Sequence, residues 1–202
     1  MFSHSSTRLS RTLRHVALLA GFSVAMTAVT REAQAQSGLL SNTATVTINA
    51  TKQAALSITI NSGGTQTMTS LTDNAVNSFA TPVNITTAWD INPSASSVAL
   101  VGYFSSPTQA LANGTDYIAS SLVKGRIGTS GVFNPFSGAV VTGGASSVGV
   151  AGGTLSLFSQ AITGANKKSS RTDDLYLQID LTGQTVTAGS YTGTLNLRAI
   201  TQ

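Results

Sequence analysis

The sequence predicts an all-β fold: an Ig-like antiparallel β-sandwich of about eight strands that follows an N-terminal signal peptide. Apolar residues recur with a period of two along most of the chain, and no stretch longer than about ten residues keeps a helical period of 3.6 between helix caps. The chain is rich in Gly, Ser, Thr, Ala and Asn, and only 9% of its residues are charged. Gly-rich turns at short spacing separate the alternating runs, as is typical of a sandwich.

The N-terminal 35 residues have the three parts of a cleavable secretory signal peptide. Arg8, Arg11 and Arg14 precede the apolar run 16–30, and Ala33-Gln34-Ala35 supplies the small residues of a cleavage site. The apolar run has about 15 residues, whereas a membrane-spanning helix needs about 20, so a retained anchor helix is the weaker alternative. We therefore expect cleavage after Ala35 and a protein that is secreted into the periplasm or onto the cell surface.

Residues 36–202 are expected to form one domain of 167 residues, which is long enough to bury a sizeable core. No second apolar run follows, so the sequence predicts no transmembrane segment in the mature chain. Without residues 1–35 the chain keeps seven basic and six acidic residues. A chain with nearly equal numbers of basic and acidic residues lacks the basic face that binds phosphates, which argues against a nucleic-acid partner.

The inventory of reactive side chains is small. The chain has no cysteine, and its two histidines, His4 and His15, both lie in the predicted signal peptide. The mature chain therefore lacks the side chains for disulfides, zinc sites, Ser-His-Asp triads and cysteine nucleophiles. We expect a non-enzyme with no catalytic, cofactor-binding or metal-binding residues and no cofactor. Because the mature chain also has no glutamate, the remaining enzymatic alternative is a hydrolase that uses aspartates alone.

Three aspartates are the candidates for that alternative. Asp173 and Asp174 follow a predicted charged loop at 166–171, where solvated ion pairs with its Lys and Arg residues explain them. Asp180 lies between Ile179 and Leu181, so in a strand its side chain faces away from theirs and towards solvent. These acids are therefore interpreted as structural.

The N-terminal half of the domain contains three alternating runs and one more continuously apolar run, residues 98–104. Residues 43–50 and 56–60 predict the first two strands, and residues 83–89 and 98–104 predict two more, joined as a hairpin through the turn Asn92-Pro93-Ser94-Ala95. Trp89 is expected in the core, and an exposed ligand-stacking role is the alternative.

The C-terminal half begins with a weaker pattern, which predicts short edge strands and loops between Ser105 and Gly153. Strands are then predicted at 154–160, 175–181 and 191–199. The inward-facing side chains are expected to include Trp89, Leu177, Ile179, Tyr191 and Leu195.

Both ends of the domain resemble a known group of secreted proteins. Ala44-Thr45-Val46-Thr47-Ile48-Asn49-Ala50 with Leu56-Ser57-Ile58, and Ala188-Gly189-Ser190-Tyr191-Thr192-Gly193-Thr194-Leu195, are similar to the first and last strands of spore coat protein U-like domains and archaic chaperone-usher pilins. The central Thr87-Ala88-Trp89-Asp90-Ile91-Asn92-Pro93 resembles uncharacterised bacterial secreted proteins. The resemblance implies an Ig-like sandwich that lacks one strand and is completed by an N-terminal extension of its neighbour.

These observations predict a structural or assembly subunit of a pilus or coat. The expected partner is a second copy or a related subunit, bound by strand addition through residues 36–50. The rival arrangement is self-completion, in which residues 43–50 pair within their own sheet and the domain is a monomer. The alternative function is a monomeric carbohydrate-binding or adhesive module.

Overall fold

The computed structural model describes Leu40, residues 42–92 and residues 94–202. The predicted signal peptide and its cleavage site lie outside the described residues. The chain divides into two units, Met1–Thr51 and Lys52–Gln202. Where the structure describes it, the first unit is exposed and has no regular secondary structure. The prediction of a strand at 43–50 is therefore wrong, because alternation alone does not supply a neighbour for the backbone hydrogen bonds of a strand.

The second unit is all-β, as predicted. Its regular elements are β1 (Ala55–Ser62), β2 (Val76–Ser78), β3 (Val83–Asp90), β4 (Ser97–Tyr103), β5 (Leu111–Asn113), β6 (Asp116–Ile118), the 3₁₀ turn η1 (Ser120–Leu122), β7 (Val123–Ile127), β8 (Asn134–Pro135), β9 (Val141–Gly143), β10 (Ser146–Val148), β11 (Thr154–Ala161), β12 (Lys168–Asp180) and β13 (Asn196–Thr201). No helix in the described part of the chain is long and apolar enough to cross a membrane.

Two antiparallel sheets enclose the core. The larger has the order β1-β3-β12-β7-β8, with β2 paired to β12 beyond the end of β3, and the smaller has the order β11-β4-β13. The pairs β5–β6 and β9–β10 are separate small hairpins. The β9–β10 hairpin packs against the outer face of the smaller sheet, where Val148 contacts the cluster of Ala99, Val101 and Ile200.

The hairpin predicted between residues 83–89 and 98–104 does not form. Both runs are strands, but β3 pairs with β1 and β12, whereas β4 pairs with β11 and β13. The connection at 91–96 therefore crosses from one sheet to the other, and it places Ile91 and Val98 in a buried cluster with Trp89. A short turn between two predicted strands does not show whether they pair as a hairpin or belong to different sheets.

Strand β12 supplies the centre of the core, as the sequence predicts. Leu175, Leu177, Ile179 and Leu181 are all buried, with exposures of 8% or less. Trp89 is buried as well, so three of the five predicted core residues are buried. The other two, Tyr191 and Leu195, are partly buried and pack against the same cluster.

The structure corrects three sequence-based element assignments. The predicted charged loop at 166–171 is mostly strand, because β12 begins at Lys168 and pairs with β3 through residues whose alternate side chains face solvent. β7, expected among the short edge strands, lies inside the larger sheet between β12 and β8. The last strand begins at Asn196 and not at Tyr191, and before it only Thr192 forms an isolated bridge, to Ala112.

Candidate functional site

A groove opens between the edge strands of the two sheets. β1 ends the larger sheet and β13 ends the smaller one, and the two strands lie next to each other on the same side of the sandwich. We call the space between the chain 60–73 and the chain 186–197 the edge groove. Each flanking strand has one backbone edge that pairs with no strand of the described chain, and such an edge is a template for another strand.

One half of the edge groove is apolar and reaches the core. This half is a cavity of about 360 Å³. Its apolar lining consists of Ile60, Phe79, Val83, Phe104, Leu111, Val123, Leu177, Leu195 and Leu197. Ile60 is 49% exposed although it faces inward on β1, whereas Val83 and Phe104 at the floor are nearly inaccessible. The groove therefore exposes part of the apolar interior at the side of the sandwich.

The other half of the edge groove is lined by both apolar and polar side chains and has a volume of about 670 Å³. Met68, Leu71, Ile179 and Val186 contribute apolar surface, whereas Thr69, Ser70, Asp73, Thr187 and Ser190 contribute polar surface. Two hydrogen bonds hold its outer wall: the Val186 amide donates to Asp73 Oδ1 at 3.0 Å, and the Tyr191 hydroxyl donates to the Thr187 carbonyl at 3.0 Å.

The two halves meet at a shared set of residues: Gln66, Phe79, Leu111 and Gly193. Gln66 Nε2 donates to the Gly63 carbonyl at 2.8 Å, which fixes the side chain at the junction and leaves Oε1 as an acceptor. The chain at Gly193 packs so closely on its neighbour that a Cβ there would clash with the Ala110 carbonyl oxygen. The two cavities therefore adjoin at these four residues and form one groove.

The opposite side of the sandwich is built differently. β11 contains a bulge between Ser156 and Phe158, and the two-residue strand β8 ends in Pro135. Arg171 and Asp173 face the interior there and form an ion pair, with Arg171 Cζ 4.1 Å from the centroid of the Phe158 ring. Bulges, prolines, very short strands and inward-pointing charges all discourage edge-to-edge pairing. β1 also has a register shift, between Ile60 and Ser62, but β1 and β13 contain neither proline nor an inward-facing charged side chain.

The candidate aspartates are all engaged in structural contacts. Asp173 forms an ion pair, as predicted, but within a strand and with its side chain only 9% exposed. Asp174 Oδ1 accepts a hydrogen bond of 2.6 Å from Asn84 Nδ2. Asp180 faces away from Ile179 and Leu181 as expected, but it is 19% exposed and bonded to Lys124, not free in solvent.

Hydrogen bonds from Lys124 and Thr182 hold the pKa of Asp180 far below its usual range. Such an acid stays ionised at neutral pH and is a poor proton donor. Within residues 42–92 and 94–202, no group of three or more His, Cys, Asp or Glu side chains is arranged to hold a metal ion.

Trp89 does not offer a stacking surface. The side chain is 5% exposed, and its Nε1 donates to the Asn166 carbonyl at 2.8 Å. The prediction that Trp89 belongs to the core is confirmed.

The outer face of the larger sheet is polar and internally bonded. Asn61 Nδ2 lies 2.7 Å from Asn84 Oδ1 and 2.8 Å from Thr86 Oγ1, and Thr86 shares a 2.8 Å hydrogen bond with Thr172. These side chains form hydrogen bonds with one another across β1, β3 and β12. The hydrogen bonds therefore stabilise the pairing of the three strands.

The sequence analysis missed most of the edge groove. Gln66 and the residues 186–193 lie in irregular chain with no alternating pattern, and the two walls are more than a hundred residues apart in sequence. Only Leu56, Ile58 and Ile60 and the motif from Ala188 to Leu195 gave a signal, the first as a strand and the second through the resemblance. The chain matches no family model, no curated protein and no solved structure.

Proposed function

We propose that this protein is a secreted or surface-associated, non-catalytic structural subunit that assembles by strand addition. The edge groove receives an extended segment of a second copy, and that segment is residues 43–50, within the longer stretch 36–50. The observation that carries the proposal is a groove that reaches the apolar core beside Ile60 of β1 and Leu197 of β13, two strands that each have one unpaired backbone edge.

The segment has the side chains that such a groove requires. Ala44, Val46, Ile48 and Ala50 alternate with Thr and Asn, so in an extended chain they share one face. Val46 and Ile48 are 84% and 86% exposed. Fully burying a Val or Ile side chain contributes roughly 1.5–3 kcal/mol, in addition to the backbone hydrogen bonds of a new strand.

The two sides of the sandwich differ, and the difference favours the side with β1 and β13 as the one through which subunits assemble. Pro135 and the inward ion pair of Arg171 and Asp173 protect the edge formed by β8 and β11, whereas a register shift occurs in both β11 and β1 and does not distinguish the two sides. The pair β1 and β13 has no inward charge, and its gap exposes Ile60. A subunit that pairs through one side only forms defined polymers and not random aggregates.

Assembly is tested by comparing the full chain with a variant that lacks residues 36–50. The full chain is expected to form polymers at high concentration by light scattering, and the deletion variant is expected to stay monomeric. Ile48→Asp should also prevent polymers because it places a charge in the apolar half. Thr47→Asp is the matched control, since its side chain faces away from the groove. A full chain that remains monomeric would instead favour the monomeric carbohydrate-binding or adhesive module.

A further inference from the structure

The half of the edge groove that has both apolar and polar side chains, here called the mixed half, has a lining that strand addition does not explain. The segment 43–50 presents apolar side chains to the groove, and these suit the apolar half. We propose that the mixed half binds a short, uncharged oligosaccharide, with Asp73 as a hydrogen-bond acceptor and Tyr191 as the aromatic wall. This inference goes beyond the proposed function and does not depend on assembly.

The size and charge of the mixed half define the class of ligand. Its volume of about 670 Å³ lies within the range of small-molecule sites. Among the described residues that line it, Asp73 is the only acid, and none is a lysine, arginine or histidine. A cavity without a basic side chain does not attract phosphates, sulfates or carboxylates, and the Asp73 carboxylate repels them. The lining therefore favours a ligand that carries no negative charge.

The hydroxyl groups of the lining are available to a ligand. The residues that carry them are Thr69, Ser70, Thr187, Ser190 and Thr192. No hydrogen bond joins these hydroxyls to another group within residues 42–92 and 94–202, since Thr187 bonds through its carbonyl and Thr192 through its backbone. The polar outer face of the larger sheet differs, because Asn61, Thr86 and Thr172 are bonded to one another there. Hydroxyls that both donate and accept match those of a sugar.

Asp73 is held in place without being neutralised. Its Oδ1 accepts a hydrogen bond of 3.0 Å from the Val186 amide, and it forms no ion pair with the described lysines and arginines. Asp90, Asp173 and Asp180 differ, because each pairs with a basic side chain. A carboxylate has about four lone-pair sites, so Asp73 can accept further hydrogen bonds from the hydroxyls of a sugar.

Tyr191 supplies a fixed aromatic surface beside these polar groups. The ring is partly buried and packs against the main core cluster. Its hydroxyl donates to the Thr187 carbonyl at 3.0 Å, which fixes the orientation of the side chain. Sugars carry hydroxyl groups at the rim of the ring and C–H groups on its faces. A rigid aromatic ring next to hydrogen-bonding side chains therefore suits them.

Isothermal titration calorimetry of the full chain, at a concentration where it is monomeric, tests the inference. The probes are maltotriose, cellotriose and chitotriose, which are uncharged, and trigalacturonate, which carries carboxylates. We expect at least one uncharged sugar to bind and trigalacturonate not to bind. Asp73→Asn keeps an acceptor for the Val186 amide but loses the charge, so it should weaken binding about tenfold. Asp116→Asn, on β6 and outside the lining of the groove, is the matched control and should bind normally.

Three results would overturn the inference. They are no binding of any uncharged sugar, tighter binding of trigalacturonate than of the uncharged sugars, and equal binding by Asp73→Asn and the unsubstituted protein. Thermal unfolding establishes that each variant is folded. Thr187→Val removes one hydroxyl of the lining at nearly equal size, so it replaces Asp73→Asn if that variant does not fold, and it too should weaken binding.

The outcomes separate this inference from the proposed function, because assembly is measured independently by light scattering. A chain that polymerises but binds no sugar would contradict this inference alone. A chain that binds an uncharged sugar in the mixed half but stays monomeric at high concentration would contradict the proposed function alone.

Discussion

Lys124 on β7 donates a 2.6 Å hydrogen bond to Asp180 on β12, and this ion pair joins two neighbouring strands of the larger sheet on its outer face. Thr182 donates to the other carboxylate oxygen through both its backbone amide and its hydroxyl. Asp180 therefore holds β7, the end of β12 and the following turn together. The contact involves partly exposed groups, so its contribution depends on pH and on salt.

The lowered pKa of Asp180 predicts a specific pH dependence of stability. Because the folded-state pKa lies below the unfolded value of about 3.9, the contribution is fully present above about pH 4 and is lost as the pH falls further towards the folded-state pKa. The Tm difference between the unsubstituted protein and Asp180→Asn should be constant from pH 5 to 7 and should shrink below pH 4. Lys124→Gln is the partner control, and it should make the Asp180→Asn difference smaller at every pH. A Tm difference that grows on acidification would contradict this account.

Ile179→Ala tests the core. Ile179 is 2% exposed and lies in the main cluster on β12, so truncation should lower the free energy of unfolding by about 2–5 kcal/mol. The matched control is Ile48→Ala in the exposed segment, which should change the stability of the monomer by less than about 0.5 kcal/mol. Denaturant unfolding at a concentration where the protein is monomeric measures both. Equal effects of the two substitutions would show that the inward face of β12 has been misassigned.

Gly193→Ala tests the close packing at the junction. A Cβ at this position would clash with the Ala110 carbonyl oxygen, so the wall of the groove must move. We expect a loss of about 1–3 kcal/mol in stability and weaker assembly. Gly164→Ala is the control, because nothing lies within 4 Å of a Cβ at that glycine. Thermal unfolding and light scattering of both variants measure the two effects, and a neutral Gly193→Ala would contradict the close packing of Gly193 against Ala110.

Removing the inward ion pair tests the protection of the opposite edge. The double variant Arg171→Thr with Asp173→Val replaces both charges with side chains of high strand propensity. It should associate through β11 in a way that a synthetic peptide of residues 43–50 does not inhibit. The control is Arg198→Thr, which removes a charge from the outer face of β13. If the peptide suppressed association of the double variant, the new contact would be the edge groove and the protective role of the ion pair would be wrong.

The sequence predicted the parts of the fold that depend on local alternation. The inward face of β12, the burial of Trp89 and the strands predicted at 56–60, 83–89 and 154–160 follow from a period of two, and the strand predicted at 98–104 follows from a continuous apolar run. The errors concern which strands pair with each other and where individual strands begin. Whether β3 and β4 pair, and where β12 and β13 begin, depends on contacts between residues distant in sequence. Polar residues such as Ser169 and Ser170 are compatible with either a strand or a loop. Only their pairing with β3 identifies them as part of a strand.

The candidate site was less accessible to sequence analysis than the fold. Residues 43–50 showed their alternating face, but the groove depends on Gln66 and on residues 186–193, which have no periodic pattern. The groove exists because two sheet edges meet, and that is a property of topology. Of the aspartates, Asp173 forms an ion pair as predicted, but with little exposure. Asp174 instead accepts a hydrogen bond from Asn84, and Asp180, which was expected to face solvent, pairs with Lys124.

Binding of the segment to the groove is the central claim, and hydrogen–deuterium exchange measures it most directly. The chain without residues 36–50 is incubated with a synthetic peptide of residues 43–50, and with a control peptide carrying Ile48→Asp. The account predicts slower amide exchange along residues 190–197 and in β1 with the first peptide only, and no change at the opposite edge in β11. Unchanged exchange at 190–197 with saturating peptide, in a chain shown to be folded, would contradict strand addition at this groove.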